Sequence, residues 1–325
     1  MIQTSNSEAL AKYLLEKGLI GEKVFQTVIR DPIGTYQTRM DVEDGYLNMQ
    51  ISIGKDMATG FFTVENGLVR LIRLPQIEHT VSQGMSTAAL EIQVAAIDWN
   101  KEAHKILSGK NEVDTLFNDL LFLRLAGNRK AQDAVDLLFL KYMDLTNALP
   151  YVEYNVYDQP YIKSYEFSLH DPINDFSAQK ALNLLEGRPV LQYVVSHNPY
   201  KVDGYWLQEQ EGVISRIPNY DLPEILERLP LVSDPGDKPH LRLLMELTRG
   251  DKVPVRIRKG GQQIDAFVIN DPSNKTILLF ETSGATIELQ KVLLPEGQAN
   301  NDLTRFRKMP TSSVPKKGKN KGKSI

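Results

Sequence analysis

The sequence predicts an α+β protein: small antiparallel sheets with helices in αββ-type modules, a central helical hairpin, and a disordered basic C-terminal tail. Three observations carry that prediction. Apolar residues recur at helical spacing in some stretches and alternate in others, so both periods are present. Glycine and asparagine stand where the period changes, as stops, caps and tight turns require. Hydrophobic residues fill 42% of 325 positions, enough to form cores.

Residues 6–18 read as an amphipathic helix with Leu10, Tyr13 and Leu14 on one face, closed by Gly18 or Gly21. Strands are expected at 23–30, 46–53 and 60–74. The last is read as a hairpin turning at Glu65-Asn66-Gly67, because Asn-Gly is the commonest two-residue turn. Asp41, Glu43 and Asp44 before Gly45 mark a polar turn; a calcium loop would need further oxygen ligands at fixed offsets. A helix is expected over 86–107. Val113, Leu116, Phe117, Leu120 and Leu123 then repeat at helical spacing, as do Ala131, Val135, Leu138 and Tyr142. Gly127 and Asn128 between them act as stop and next N-cap, which makes a helical hairpin ending at Pro150.

Further on, a helix at 177–185 stops at Gly187, and strands follow at 190–196 and 204–209. Asp221 and Glu224 form a capping box for a helix at 222–228. A helix at 238–249 is expected to bury Leu241, Leu244 and Met245 and to end at Gly250. A meander follows at 253–258, 263–270 and 275–281, turning at Gly260-Gly261 and at 271–274. The order helix–glycine–strand–turn–strand occurs three times, opening at Tyr13, Leu184 and Leu243, and suggests one αββ module used repeatedly. The expected organisation is an α+β unit at 1–85, a helical connector at 86–150, an α+β domain at 151–309 and the tail at 310–325.

Charge is unevenly placed. From Arg305 onward there are eight basic residues and no acidic ones: Arg305, Arg307, Lys308, Lys316, Lys317, Lys319, Lys321 and Lys323. Taking these eight positive charges from a formal total of −3 leaves −11 on residues 1–304. Such an arm finds phosphate backbones by counterion release; it also fits a solubilising end, or an arm lying on the acidic body. On 253–258 the alternation puts Val253, Val255 and Ile257 on one face and Pro254, Arg256 and Arg258 on the other. Lys252 and Lys259 flank that second face, whose charges are answerable by Asp265 or Glu281.

Many chemistries are excluded. Without cysteine there are no disulfides, thiolate metal sites or cysteine nucleophiles. Phosphate-binding glycine loops, the serine elbow and the His-Glu-x-x-His helix are missing from the sequence, so no cofactor, metal or catalytic residue is assigned. The five histidines, His79, His104, His170, His197 and His240, are scattered; His170, Asp171 and His197 are the ones able to converge. Tyr151, Tyr154, Tyr157, Tyr161, Tyr165 and Phe167 form an aromatic stretch, with Glu153, Asp158 and Glu166 against Lys163, which suits packing better than base stacking. No export signal and no run of about 20 apolar residues is present, so a cytoplasmic protein without a membrane partner is expected.

The stretch Ala181-Leu-Asn-Leu-Leu-Glu-Gly-Arg-Pro-Val190, through 221–231, to Leu243-Leu-Met-Glu-Leu-Thr-Arg-Gly-Asp-Lys-Val253 resembles a domain of unknown function carried by bacterial conjugative transposons and related mobile elements. That family shows a leucine-rich helix, a Leu-x-Arg-Gly-like stop and a β-meander, here 253–280. Its genes often lie near DNA-processing genes such as topoisomerases. The resemblance covers residues 177–290 and implies a setting in a mobile genetic element, with no catalytic residue to carry over.

These readings converge on a non-enzymatic accessory protein that contacts DNA or RNA backbone without base specificity, through the tail and the face of Lys252, Arg256, Arg258 and Lys259. The alternatives are a protein–protein adaptor docking through residues 111–147, and an enzyme of unrecognised type.

Overall fold

A computed structural model describes residues 6–109, 111–144, 160–167, 176–195, 202–210, 212–233 and 237–295. Helices and small antiparallel sheets are mixed, as an α+β chain requires. The chain divides into two compact units, Met1–Phe167 and Ser168–Ile325. The dividing line between these units falls after Phe167.

In the first unit, α1 (Ser7–Glu16) and α2 (Glu22–Arg30) pack on each other and against β3 and β1, respectively, of a sheet ordered β1-β2-β3-β6. Its strands are β1 (Gly34–Val42), β2 (Gly45–Lys55), β3 (Phe62–Arg73) and β6 (Ile162–Phe167). Two expectations are corrected here. Residues 23–30 form a helix rather than a strand: Val24 with Val28 and Phe25 with Ile29 are i,i+4 pairs, and Glu22 and Arg30 suit the dipole at either end. Residues 60–74 hold one strand and no hairpin. Ser52 pairs with Asn66 and Ile53 with Val64, so Glu65 is the extra residue of a bulge. A Cβ on Gly67 would lie 2.3 Å from the Phe167 ring, so this glycine serves the close approach of β6 rather than a turn. The first of the three supposed αββ copies therefore fails, because its glycine leads into a helix.

The β1–β2 hairpin turns at Glu43 and Asp44, with Asp44 at φ 57°. Beyond β3, the short ladder β4 (Val81–Ser82) and β5 (Met85–Ser86) leads into α3 (Thr87–Ala95), capped by Ser86. The single helix expected over 86–107 is broken. Trp99 begins a short α4 (Trp99–Glu102), turns into the core and gives its indole N–H to the Val94 carbonyl at 3.0 Å. The hairpin of α5 (Glu112–Leu125) and α6 (Arg129–Leu138) stands as expected, with Asn111 and Asn128 as caps and Gly127 at φ 76°. A π-turn, Phe139–Met143, continues α6. Trp99, Phe117, Leu120, Leu138 and Phe139 form the buried centre of this helical part. Two polar contacts tie it to the sheet: the Tyr46 hydroxyl donates to the Leu140 carbonyl at 2.9 Å, and the Asn48 amide donates to the Asp144 carboxylate.

The second unit repeats one plan. Helix α7 (Ala178–Leu185) stops at Gly187 and leads into the meander β7 (Val190–Val195), β8 (Val202–Gln210) and β9 (Val213–Pro218). After α8 (Leu222–Glu227), helix α9 (Pro239–Thr248) stops at Gly250. It leads into β10 (Val253–Lys259), β11 (Gln262–Asp271), β12 (Thr276–Glu281) and the short β13 (Thr286–Ile287). The two junctions touch: the Asn183 amide donates to the Arg249 carbonyl at 2.7 Å, and a Cβ on Gly250 would meet Val190 at 2.8 Å. One face is corrected. Helix α9 buries His240, Leu243 and Leu247, with Leu241 and Leu244 half-buried and Met245 exposed. Its His240 Nε2 meets the Leu229 carbonyl at 3.0 Å, which rotates that side inward.

Candidate nucleic-acid interface

The sheet β10–β13 has one buried and one open face. Val253, Ile257, Ala266, Val268, Ile277 and Leu279 line the buried side. Pro254, Arg256 and Arg258 are exposed on the other, as alternation requires. The outer edge of β10 is covered: Val232 N donates to the Arg256 carbonyl at 2.8 Å, and Arg258 N to the Pro230 carbonyl at 3.0 Å.

Register decides what surrounds the arginines. Pro254 lies opposite Phe267, Arg256 opposite Asp265, and Arg258 opposite Gln263. Across the next ladder Phe267 faces Phe280, and Ile269 faces Leu278. The open face therefore carries two half-buried rings side by side, with basic residues along one flank. Lys252 Nζ sits 4.5 Å from the centroid of the Phe267 ring. Lys259 is different: it takes the same side as Ile257 and is half-buried, so it does not belong to this face.

Charge on the face is partly neutralised. Arg256 Nε is 2.8 Å from Asp265 Oδ1, with the two side chains 57% and 62% exposed. A pair so exposed is worth roughly 0–1 kcal/mol, little enough for a phosphate to replace Asp265. Asp271, at the far corner, is bonded by Asn274. Among the described residues Arg258 and Lys252 have no carboxylate partner. Arg305, Arg307, Lys308, Lys316, Lys317, Lys319, Lys321 and Lys323 lie outside the described residues, as do Tyr151, Tyr154, Tyr157, His170, Asp171 and His197.

Sequence reading missed Phe267 and Phe280. The signal was present for the first. A two-residue Gly260-Gly261 loop obliges Arg258 to pair with Gln263, which carries Phe267 onto the arginine face.

The strongest polar cluster elsewhere lines a cleft of about 360 Å³ in the first unit, walled by Leu74, Pro75, Ile77 and Leu137. Glu91 is its centre. Oε1 accepts from Lys141 Nζ and from the Tyr142 hydroxyl, both at 2.8 Å, and Oε2 lies 2.9 Å from His79 Nε2. The hydrogen bond from Lys141 holds the Glu91 carboxyl below its ordinary range and, reciprocally, holds the Lys141 ammonium above its own. The other imidazole nitrogen, Nδ1, is 3.3 Å from Thr87 Oγ1. Lys141 and Tyr142 follow α6 and Glu91 lies on α3, so the cluster braces α3 against the π-turn.

Among the described residues no group of three or more acidic or histidine side chains is placed to hold a metal ion, and no helix is long and apolar enough to cross a membrane. No family model, no curated protein and no solved structure matches the chain.

Proposed function

We propose that this protein is a non-enzymatic accessory factor that binds nucleic acid without base specificity, using the open face of β10–β12 assisted by the basic C-terminal arm. One observation carries the reading: Arg258 and Lys252, free of carboxylate partners among the described residues, share an exposed sheet face with the adjacent rings of Phe267 and Phe280. Cations tracking a backbone beside aromatic platforms are the elements of sequence-tolerant single-strand binding. The eight cations from Arg305 onward add a second electrostatic contact. The −11 on residues 1–304 limits that attraction to these local patches. The resemblance of residues 177–290 supplies a setting in a mobile element and assigns no residue.

The test is fluorescence anisotropy with a labelled 20-nucleotide single strand over a salt series. The native chain is expected to bind with an affinity that falls with salt. Lys252→Ala with Arg258→Ala should reduce the log–log slope by about 1.4, at roughly 0.7 per single-strand phosphate contact. Phe267→Ala should weaken binding at every salt concentration by about 1–3 kcal/mol, the value of one base stack. Absence of binding at low salt, or slopes identical across variants, refutes the proposal.

A protein-docking role for residues 111–147 is favoured by a separate observation. Phe122 and Leu125, one turn apart on α5, are 54% and 59% exposed. Its test is whether Phe122→Asp with Leu125→Asp abolishes co-purification of a partner that the native chain retains.

A further inference from the structure

We infer that the protein forms a two-fold dimer by antiparallel pairing of β1 edges, centred on Thr38. In the order β1-β2-β3-β6, β1 has a neighbour on one side only among the described residues. It pairs with β2 through nine consecutive partners without a bulge. An edge of that length presents a row of unused backbone donors and acceptors, and native sheets usually blunt it. This chain does so elsewhere: β10 is covered by the backbone of Pro230–Val232, and β9 is short and ends on Pro218. Strand β1 carries no proline, no lysine and no covering segment among the described residues.

The occupant follows from the strand's own sequence. Antiparallel pairing about Thr38 sets Thr38 against its copy, Gln37 against Arg39, Tyr36 against Met40, Thr35 against Asp41, and Gly34 against Val42. Each pairing is chemically matched. Threonine meets threonine, an amide meets a guanidinium, an aromatic ring meets a thioether, and a hydroxyl meets a carboxylate. The Thr38 hydroxyl accepts from Gly21 N at 3.0 Å in its own chain and keeps its proton to donate across the pair, and Thr35 shares a 3.0 Å contact with Ser52. No like charges are opposed. A two-fold axis through a residue also preserves hydrogen-bond parity, whichever alternate set of β1 amides points outward. Gln37 and Arg39 are exposed; within the chain Gln37 bonds Gln50 at 3.4 Å and Arg39 pairs with Asp41 at 2.8 Å, surface contacts weak enough for a second copy to replace. An unrelated extended peptide would pair with the edge equally well through its backbone, but nothing would select its side chains. The self-complementary row selects another β1.

Sedimentation velocity on the full chain, from micromolar to about 0.5 mM, reads the dimer directly. Gln37→Glu and Gln37→Lys then form an opposed pair of probes, since each change meets Arg39 of the other copy twice. The first should tighten and the second weaken the dimer, by roughly 2- to 30-fold each for two opposite-charge or like-charge cross-strand contacts. Both substitutions sit on an exposed side chain and leave the core intact. A chain that stays monomeric throughout overturns the inference. So does a dimer indifferent to both substitutions, because its interface then lies elsewhere.

Discussion

The buried ion pair between Arg124 and Asp136 allows a sharp test of how the helical hairpin is held. Arg124 ends α5 and Asp136 lies on α6; their side chains are 7% and 1% exposed, with Nε 2.5 Å from Oδ1. Burial nevertheless pushes the Asp136 carboxyl above its ordinary range, although Arg124 pulls the other way. Desolvation outweighs the Coulombic gain, the situation in which breaking a pair is costly while replacing it whole is not. Arg124→Met should therefore cost about 3–5 kcal/mol, because it removes the cation opposite a buried carboxylate. Arg124→Met with Asp136→Leu should cost less than either single change, since no charge remains to be desolvated. The pH dependence has a definite sign. A carboxyl whose folded pKa is raised binds more protons in the folded state, so stability falls as pH rises from the unfolded value near 3.8 through the folded one. Above that window the penalty is constant. The Arg124→Met variant should widen the window upward, losing up to about 1.4 kcal/mol per pH unit within it. Urea unfolding followed by tryptophan fluorescence measures this, with Trp206→Phe as background. Trp99 lies in the helical core and Trp206 in the second unit, so their signals must be separated. A cost below about 1 kcal/mol for Arg124→Met, or a double variant as unstable as the sum of the singles, contradicts this account.

Two further outcomes are expected. Gly67→Ala should destabilise the first unit by about 1–3 kcal/mol through overpacking against Phe167, and Phe167→Leu should recover part of the loss; a tolerated Gly67→Ala in urea titration would show that the approach of Phe167 does not require glycine. Glu91→Gln should flatten the acid limb of the stability profile. A carboxyl with a lowered folded pKa contributes stability above its unfolded value near 4.5 and loses it as pH falls through the folded value, so an unchanged slope between pH 3 and 5 would remove Glu91 from the brace.

How far the sequence could be read depended on the reach of each interaction. The hairpin of α5 and α6 was legible because its caps are local: Asn111 bonds Asp114 N and Asn128 bonds Ala131 N, three residues on in each case. The glycine stops at Gly187 and Gly250 and the β10–β11 turn were legible for the same reason. Strand β1 gave little signal, since its side chains alternate between half-buried and exposed with few strongly apolar positions. Helix α2 was lost because nine residues with β-branched valine and isoleucine satisfy either period.

The candidate site divides along the same line. Alternation placed Arg256 and Arg258 on one exposed face from the sequence alone, because the period of a strand is a backbone property. Register then paired Arg256 with Asp265, set Phe280 beside Phe267, and turned Lys259 away. Gly67 shows the same division in the core: its dipeptide reads as a turn until Phe167, brought from β6, occupies the space a side chain would need. Caps, turns and strand period belong to neighbours along the chain, so the sequence determined them. Which charges are neutralised, which helix face is buried and where a glycine is obligatory depend on atoms distant in sequence, and only tertiary packing decided them.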